Sequence, residues 1–460
     1  MAQFPGRVAQ KYRARGEIRP VYAYTSNGKK ALLITGARQV GKTFIIREFG
    51  KRYRSFVEIN FLEQVEAREL FENAKSTSDL LLRLSAVTMV SLIPGETLIF
   101  LDEVQECKEI VTAIKFLVEE GSYRYILSGS LLGVDLKNIR SVPVGYMDIL
   151  DMYPLDFEEF AAANGVADRV LSALRDSYEQ LTPVDPVVHE KIMDLFRLYL
   201  IVGGMPAAVM RYLETNNLQE VIREQRSIIT LYKQDIARYD PDNKLYLEEI
   251  FDLILSELNA KNKRFILKNL NENLRFSRYN NSFLWLKDAG VALPTYCANE
   301  PVSPLVLSKS TNLFKLFLAD IGLLVAMYSD GIQVKILNRE KDINFGSIYE
   351  NFAAQELKAH GFDLYYFNSR RQGELDFLIE QNGDVLPIEI KSGKDFTRHV
   401  ALNNVMSNED YAIPKAYVFH NGNVSSNGKT VYYPIYFLMF VVKQTDPGDL
   451  IYKVDLSGLT

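Results

Sequence analysis

The apolar run Ala31-Leu32-Leu33-Ile34 feeds into Gly36-Ala37-Arg38-Gln39-Val40-Gly41-Lys42-Thr43, and no other stretch restricts the fold as tightly. A short apolar run of this kind reads as a buried strand, and the G-x-x-x-x-G-K-[ST] pattern after it as a phosphate-binding loop. The glycines let the backbone curl so that N–H groups along Gly36, Ala37, Arg38, Gln39, Val40 and Gly41 point at an anion. Lys42 is placed to reach the β and γ phosphate oxygens, and the Thr43 hydroxyl to hold Mg2+. A helix starting near Thr43 adds the positive end of its dipole. The expectation is an α/β fold that takes ATP with Mg2+.

At 460 residues the chain is long enough for roughly three domains, each burying its own core. Its 47% hydrophobic and 24% charged residues are those of an ordinary globular protein. The net charge of −5 excludes global basicity, so any nucleic-acid surface must be local. Cys107 and Cys297 have no metal-like spacing and read as reduced thiols of a cytoplasmic protein. Arg7, Lys11, Arg13 and Arg15 precede no apolar segment of the kind a secretory signal carries. The apolar stretch 434–442 is too short to span a membrane and is expected as a buried strand.

Short apolar runs alternate with amphipathic segments up to about residue 160, the pattern of a parallel sheet covered by helices. The expected strands are 31–35, 56–61, 97–102, 125–128 and 147–152. Residues 161–240 read as helical, interrupted at Gly203-Gly204-Met205-Pro206. Residues 241–300 have three short helical patterns and then an extended run at 291–297, which suggests a winged helix-turn-helix. From 301 to 460 strands return at 364–367, 375–379 and 386–390, the last two joined by an Asn382-Gly383 turn.

A phosphate loop binds; hydrolysis needs a second element. The apolar run at 97–101 ends in Asp102-Glu103, where Asp102 would hold the magnesium and Glu103 would polarise the attacking water. Another strand ends at Ser128-Gly129-Ser130, and the Ser128 hydroxyl could sense the γ-phosphate. The segments GARQVGKT, LIFLDE, ILSGS, MYPLDFEEF and YLIVGGMP, in that order, resemble the prokaryotic AAA+-type ATPases that carry a C-terminal domain of unknown function. The resemblance continues through WLKDAGV, KLFLADIGLL, GSIYENFAAQEL, ELDF and IEIKSG. It implies an AAA+-type core at 1–160 and a helical lid at 161–240. Such relatives often carry a Gly-Arg pair where this chain has Gly145-Tyr146, so the arginine that completes the transition state is left open, with Arg238 a candidate.

Glu389 and Lys391 alternate onto one face of a strand, and Asp376 approaches that face if the preceding strand pairs with it. Asp376 and Glu389 could hold a divalent metal, with Glu350 as a further ligand and Lys391 as the catalytic lysine beside them. This constellation resembles the PD-(D/E)XK, restriction-endonuclease-like fold, placed at 301–460. Domains of that shape either cut or serve as inert docking modules. From Asn259 to Asp288, Lys261, Lys263, Arg264, Lys268, Arg275, Arg278 and Lys287 stand against Glu272 and Asp288. Seven minus two gives +5, interleaved with Phe276, Tyr279 and Trp285. A basic face with aromatics suits DNA phosphates, although winged helices also bind proteins. The expectation is an ATPase acting on DNA, with metal-dependent nuclease chemistry open. The alternative is a nucleotide-switched signalling or scaffold protein with an inert docking domain. A homo-oligomer or a protein partner is compatible with both, and a membrane is not expected.

Overall fold

The computed structural model describes residues 30–72, 76–107, 109–129, 145–239, 244–260, 283, 285–340, 345–443, 452 and 454. The basic segment at 261–282, with Arg275, Arg278, Phe276 and Tyr279, lies outside the described residues, as do Ser130 and the first 29 residues.

The N-terminal sheet has strands β1 (Ala31–Thr35), β2 (Ser55–Asn60), β3 (Thr97–Asp102), β4 (Arg124–Ser128) and β5 (Met147–Asp151). All pairings are parallel and the order is β2-β3-β4-β1-β5. Between them run helices α1 (Lys42–Gly50), α2 (Arg68–Glu72), α3 (Thr77–Thr88) and α4 (Glu109–Glu120). Every residue of β3 is buried, as a central parallel strand covered on both faces requires. Leu33, Ile59, Ile99 and Leu101 face α3 and α4, and Ile34, Leu98, Phe100 and Ile126 face a second core. Because β4 lies between β1 and β3, the ends of the loop strand, the Asp102 strand and the Ser128 strand are neighbours.

Helices follow: α5 (Phe157–Ala163), α6 (Asp168–Gln180), α7 (Pro186–Val202), α8 (Pro206–Thr215), α9 (Leu218–Tyr239) and α10 (Lys244–Asn259). Their starts carry strong signals. Asp156 and Glu159 form a reciprocal capping box on α5, and Asp185 caps α7 ahead of Pro186.

The second sheet has eight strands in the order β12-β13-β11-β10-β9-β8-β6-β7. They are β6 (Ala292–Ala298), β7 (Lys309–Leu318), β8 (Tyr365–Ser369), β9 (Gly373–Gln381), β10 (Asp384–Lys391), β11 (Ala416–His420), β12 (Ser425–Asn427) and β13 (Thr430–Pro434). Helices α11 (Ile321–Ala326), α12 (Ile332–Leu337), α13 (Phe345–Ala359) and α14 (Val400–Met406) accompany them. Asn382 and Gly383 both adopt positive φ, 55° and 88°, as a two-residue hairpin turn requires. One face of this sheet shares its core with the helices and the first sheet, through Phe377, Ile379, Ile388, Ile390 and Phe419.

Two expectations change. The run at 291–297 is a strand, but it does not close a separate winged unit. As β6 it pairs antiparallel with β7 and parallel with β8, inside the eight-stranded sheet. The stretch 434–442 is not a strand: β13 ends at Pro434 and Ile435–Phe440 is a buried 3-10 helix. Its six buried side chains pack as a helical turn against α6 and its neighbours rather than pairing with another strand. Tyr178 meets the rings of Tyr433, Phe437 and Phe440 in turn.

Candidate functional site

The phosphate loop is held in a conformation that only particular residues tolerate. Gly36 has φ 135°, and a Cβ there would lie 2.2 Å from the Met152 carbonyl oxygen. Gly41 (φ 97°) then opens α1. The Lys42 ammonium donates to the carbonyls of Gly36 (2.8 Å) and Ala37 (2.9 Å), folded back over its own loop. Burial lowers its pKa to about 8, against the opposing pull of Glu103 and Asp102.

Asp102, at the end of β3, collects donors from four elements. Thr43 Oγ1 donates to its Oδ2 at 3.1 Å, Asn60 Nδ2 to the same oxygen at 3.3 Å, and the Glu103 N–H to Oδ1 at 3.1 Å. The buried Ser128 hydroxyl also donates to Oδ1. Burial pushes the Asp102 carboxyl above its ordinary range; the Ser128 bond opposes this and the nearby Glu103 adds to it. A hydroxyl and a buried carboxylate 3.1 Å apart, with excess negative charge beside them, are a donor set that suits Mg2+. Glu103 sits in left-handed backbone (φ 54°), half-exposed, and accepts a hydrogen bond from Gln105 at 2.5 Å. Backbone of that kind in a non-glycine residue is concentrated at functional sites.

Thus Lys42, Thr43, Asp102, Glu103 and Ser128 meet at one end of the sheet, while Asn60 was not singled out from the sequence. Nor was the hold that α9 has on the loop. Tyr232 donates to the Arg38 carbonyl at 3.0 Å, and Asp235 pairs with the Arg38 guanidinium at 2.6 Å. Beside the loop, Val40, Phe44, Met152, Leu155, Pro206 and Val209 line an apolar cavity of about 280 Å³. The turn before α8 is fixed by close approach, since a Cβ on Gly204 would lie 2.0 Å from the Leu155 carbonyl oxygen. The buried carboxylate of Asp320 accepts the Gly204 N–H at 2.6 Å.

A second cluster lies on β7, α13, β9 and β10. The β9–β10 register pairs Phe377 with Ile388, so its next step sets Asp376 opposite Glu389. Asp376 Oδ2 accepts the Ile390 N–H at 2.9 Å, and Lys391 Nζ lies 3.0 Å from Glu389 Oε2. Burial, then the adjacent Asp376, pushes the Glu389 carboxyl well above its ordinary range. Burial opposes the charge on Lys391, but Glu389 and Asp376 hold it above the usual lysine value. Glu350, expected as a further ligand, is buried on α13, where a lysine other than Lys391 lies beside it. Among the described residues no three His, Cys, Asp or Glu side chains form a metal-holding group. Instead Lys315, a fully buried lysine of β7 that the sequence reading passed over, lies 3.7 Å from Glu350 Oε2 and 2.8 Å from Glu374 Oε1. The signal was available: Lys315 interrupts the apolar run Phe314-Lys315-Leu316-Phe317-Leu318.

No described helix is long and apolar enough to cross a membrane. Both cysteines are buried, and neither forms a disulfide.

Residues 28–161 match a protein-family model described as an AAA domain, which supports a nucleotide-binding AAA-type ATPase. Residues 193–335 and 345–438 match two models, each described as a domain of unknown function (DUF8612 and DUF4143). No curated protein sequence matches the chain. Similar solved structures include a Walker-type ATPase of Pyrococcus abyssi, at 16% identity over 68% of this chain and 95% of that one, with a TM-score of 0.41. Others are the Cdc6p protein of Pyrobaculum aerophilum (12%, covering 70% and 92%, TM-score 0.24) and the Aeropyrum pernix ORC1 protein in complex with DNA (14%, covering 73% and 91%, TM-score 0.23).

Proposed function

We propose that this chain is a magnesium-dependent ATPase that couples nucleotide turnover to work on DNA. The observation that carries the ATPase reading is the convergence of Lys42, Thr43 and Ser128 with Asp102, and of Glu103 next to it, at one sheet end. The phosphates of ATP would compete with the Gly36 and Ala37 carbonyls for the Lys42 ammonium, drawing the lysine outward. Thr43 and Asp102 would hold Mg2+, which when bound neutralises charge on the phosphate oxygens. Glu103 orients the attacking water and accepts its proton, and Ser128 reports the γ-phosphate to Asp102. The apolar cavity between α1 and α8 suits a flat base, so Pro206 and Val209 would feel nucleotide binding directly.

For the DNA part the support is the +5 segment of the sequence. The C-terminal topology adds to it: helix α13, three antiparallel-paired strands β8–β10, helix α14 and the parallel β11 repeat the order of the PD-(D/E)XK fold. Asp376 and Glu389 would be the metal carboxylates, with Lys391 beside them to stabilise developing charge. The composition fits a divalent ion: four carboxylates stand against two lysines, and a cation would relieve the repulsion from Asp376 that helps to raise the Glu389 carboxyl. Buried thiols outside any disulfide favour a reducing, cytoplasmic setting. The decisive experiment is ATP turnover with and without single-stranded, duplex and branched DNA, alongside a cleavage assay with Mg2+ or Mn2+. Turnover that ignores every DNA form, with no cleavage, would favour the nucleotide-switched scaffold instead.

A further inference from the structure

The C-terminal cluster holds four carboxylates and two lysines. Glu389 pairs with Lys391, Glu350 and Glu374 pair with Lys315, and Asp376 lies between, adding its charge to both lysines. The two lysines differ in their access to solvent. The Lys391 side chain is 29% exposed, whereas that of Lys315 is 0% exposed. Lys315 is anchored from below as well, its ammonium 5.1 Å from the centre of the buried Tyr366 ring. A half-buried lysine can swing aside for an incoming ion; a lysine sealed in the core cannot do so without opening the sheet.

We propose that Lys315 is a built-in counter-ion that holds the place of a cation at the Glu350–Glu374 end, so that only the Asp376–Glu389 end takes a divalent ion. This rests on the metal-site reading above and adds to it a stoichiometry of one, set by a residue that does not itself touch the ion. The buried Glu350 and the half-buried Glu374 would repel without a cation between them, and the ammonium removes that cost. A two-ion arrangement, which would clamp both attacking and leaving oxygens, is then closed to this chain.

The test counts Mn2+ bound to the full-length, nucleotide-free protein by electron paramagnetic resonance, with melting followed by circular dichroism. Counted apart from any ion that Thr43→Ala removes from the loop site, wild type should bind one ion per chain, and Asp376→Asn should lose it. Lys315→Met should bind two, and Lys315→Met combined with Glu350→Gln should return to one. The double variant also removes the stranded charge, so it remains readable if the single variant folds poorly. An unchanged count and affinity in Lys315→Met overturns the proposal, as does a wild type that already binds two. A wild type that binds none separates the two ideas. The metal-site reading then fails, and an ion gained by Lys315→Met would still support the counter-ion role, whereas none gained would end it.

Discussion

The loop site and the C-terminal cluster are both built from carboxylates and lysines at the ends or along the faces of strands, yet they balance charge differently. In the first, one buried acid, Asp102, is surrounded by neutral donors from Thr43, Asn60, Ser128 and the Glu103 backbone. In the second, Glu350, Glu374 and Glu389 lie 2.8–3.7 Å from two lysines, with Asp376 beside them. Neutral donors can be redistributed when a ligand arrives, because each stays satisfied by water or by phosphate oxygens. Ion pairs inside a protein resist rearrangement, since parting them strands a charge. The contrast predicts an adaptable nucleotide site and a rigid C-terminal one.

The largest expected effects separate binding from chemistry at the loop. Lys42→Ala should weaken nucleotide binding by about a hundredfold or more, while Lys391→Ala leaves it unchanged. Glu103→Gln should retain affinity but lose turnover by about 10²–10⁴-fold. Fluorescent-nucleotide titration and a phosphate-release assay read these two quantities, and wild-type turnover in Glu103→Gln would remove that residue from the mechanism. Next in size is a packing test. Gly204→Ala should cost about 1–3 kcal/mol of stability, because the Leu155 carbonyl leaves no room. Gly393→Ala, close to Lys391 but with nothing within 4 Å of the added methyl, should stay within about 0.5 kcal/mol in denaturant melts.

The pH dependences of the two sites should run in opposite directions. With its pKa lowered to about 8, free Lys42 must regain a proton to hold phosphate above that pH. Nucleotide affinity should therefore be flat below 8 and fall by up to about tenfold per pH unit above it. For the nucleotide-free protein the same shift has the opposite sense. The unfolded chain binds more protons between 8 and 10.5, so this group adds stability as pH rises through that window. Glu389, shifted upward, does the reverse: its contribution is fully present below the ordinary glutamate value of 4.5 and is lost as pH rises through its folded value. Asp376→Asn, which removes the adjacent like charge, should flatten that decline by about 1 kcal/mol in melts taken across pH. An unchanged slope would mean that Asp376 and Glu389 do not titrate as neighbours.

Legibility in the sequence followed contiguity. Strands β1 and β3 match their expected bounds because each is a buried apolar run closed by polar residues or glycine. The loop residues are legible together because one short segment supplies most of them. The Asp376–Glu389 pair could be read across a hairpin because Asn382-Gly383 fixes its register. Lys315 could not be placed that way: its partners come from α13 and β9, and neither lies near it in sequence. Asp235 and Asn60 were passed over for the same reason, since only the folded chain brings them to Arg38 and Asp102. For Ile435–Phe440 periodicity carried no information, because an unbroken apolar run fits a strand or a helical turn equally well.

The position of β6 between β8 and β7 bears on how this protein can be dissected and how it could have been assembled. A fragment starting at residue 301 would look like a complete C-terminal unit in the sequence. It would lack the strand that joins β7 to the rest of its sheet, because β7 pairs with β6 alone among the described strands. Lys315 would leave with it, and Glu350 and Glu374 would lose their counter-ion. The sheet would also gain an unprotected edge at β8, a template for pairing with other chains. A fragment retaining β6, starting ahead of residue 292, would keep that edge covered. The C-terminal unit therefore borrows β6 from the preceding segment, and with it the seating of β7 and Lys315, so a shuffled or transplanted copy would have to carry that hairpin along to arrive whole.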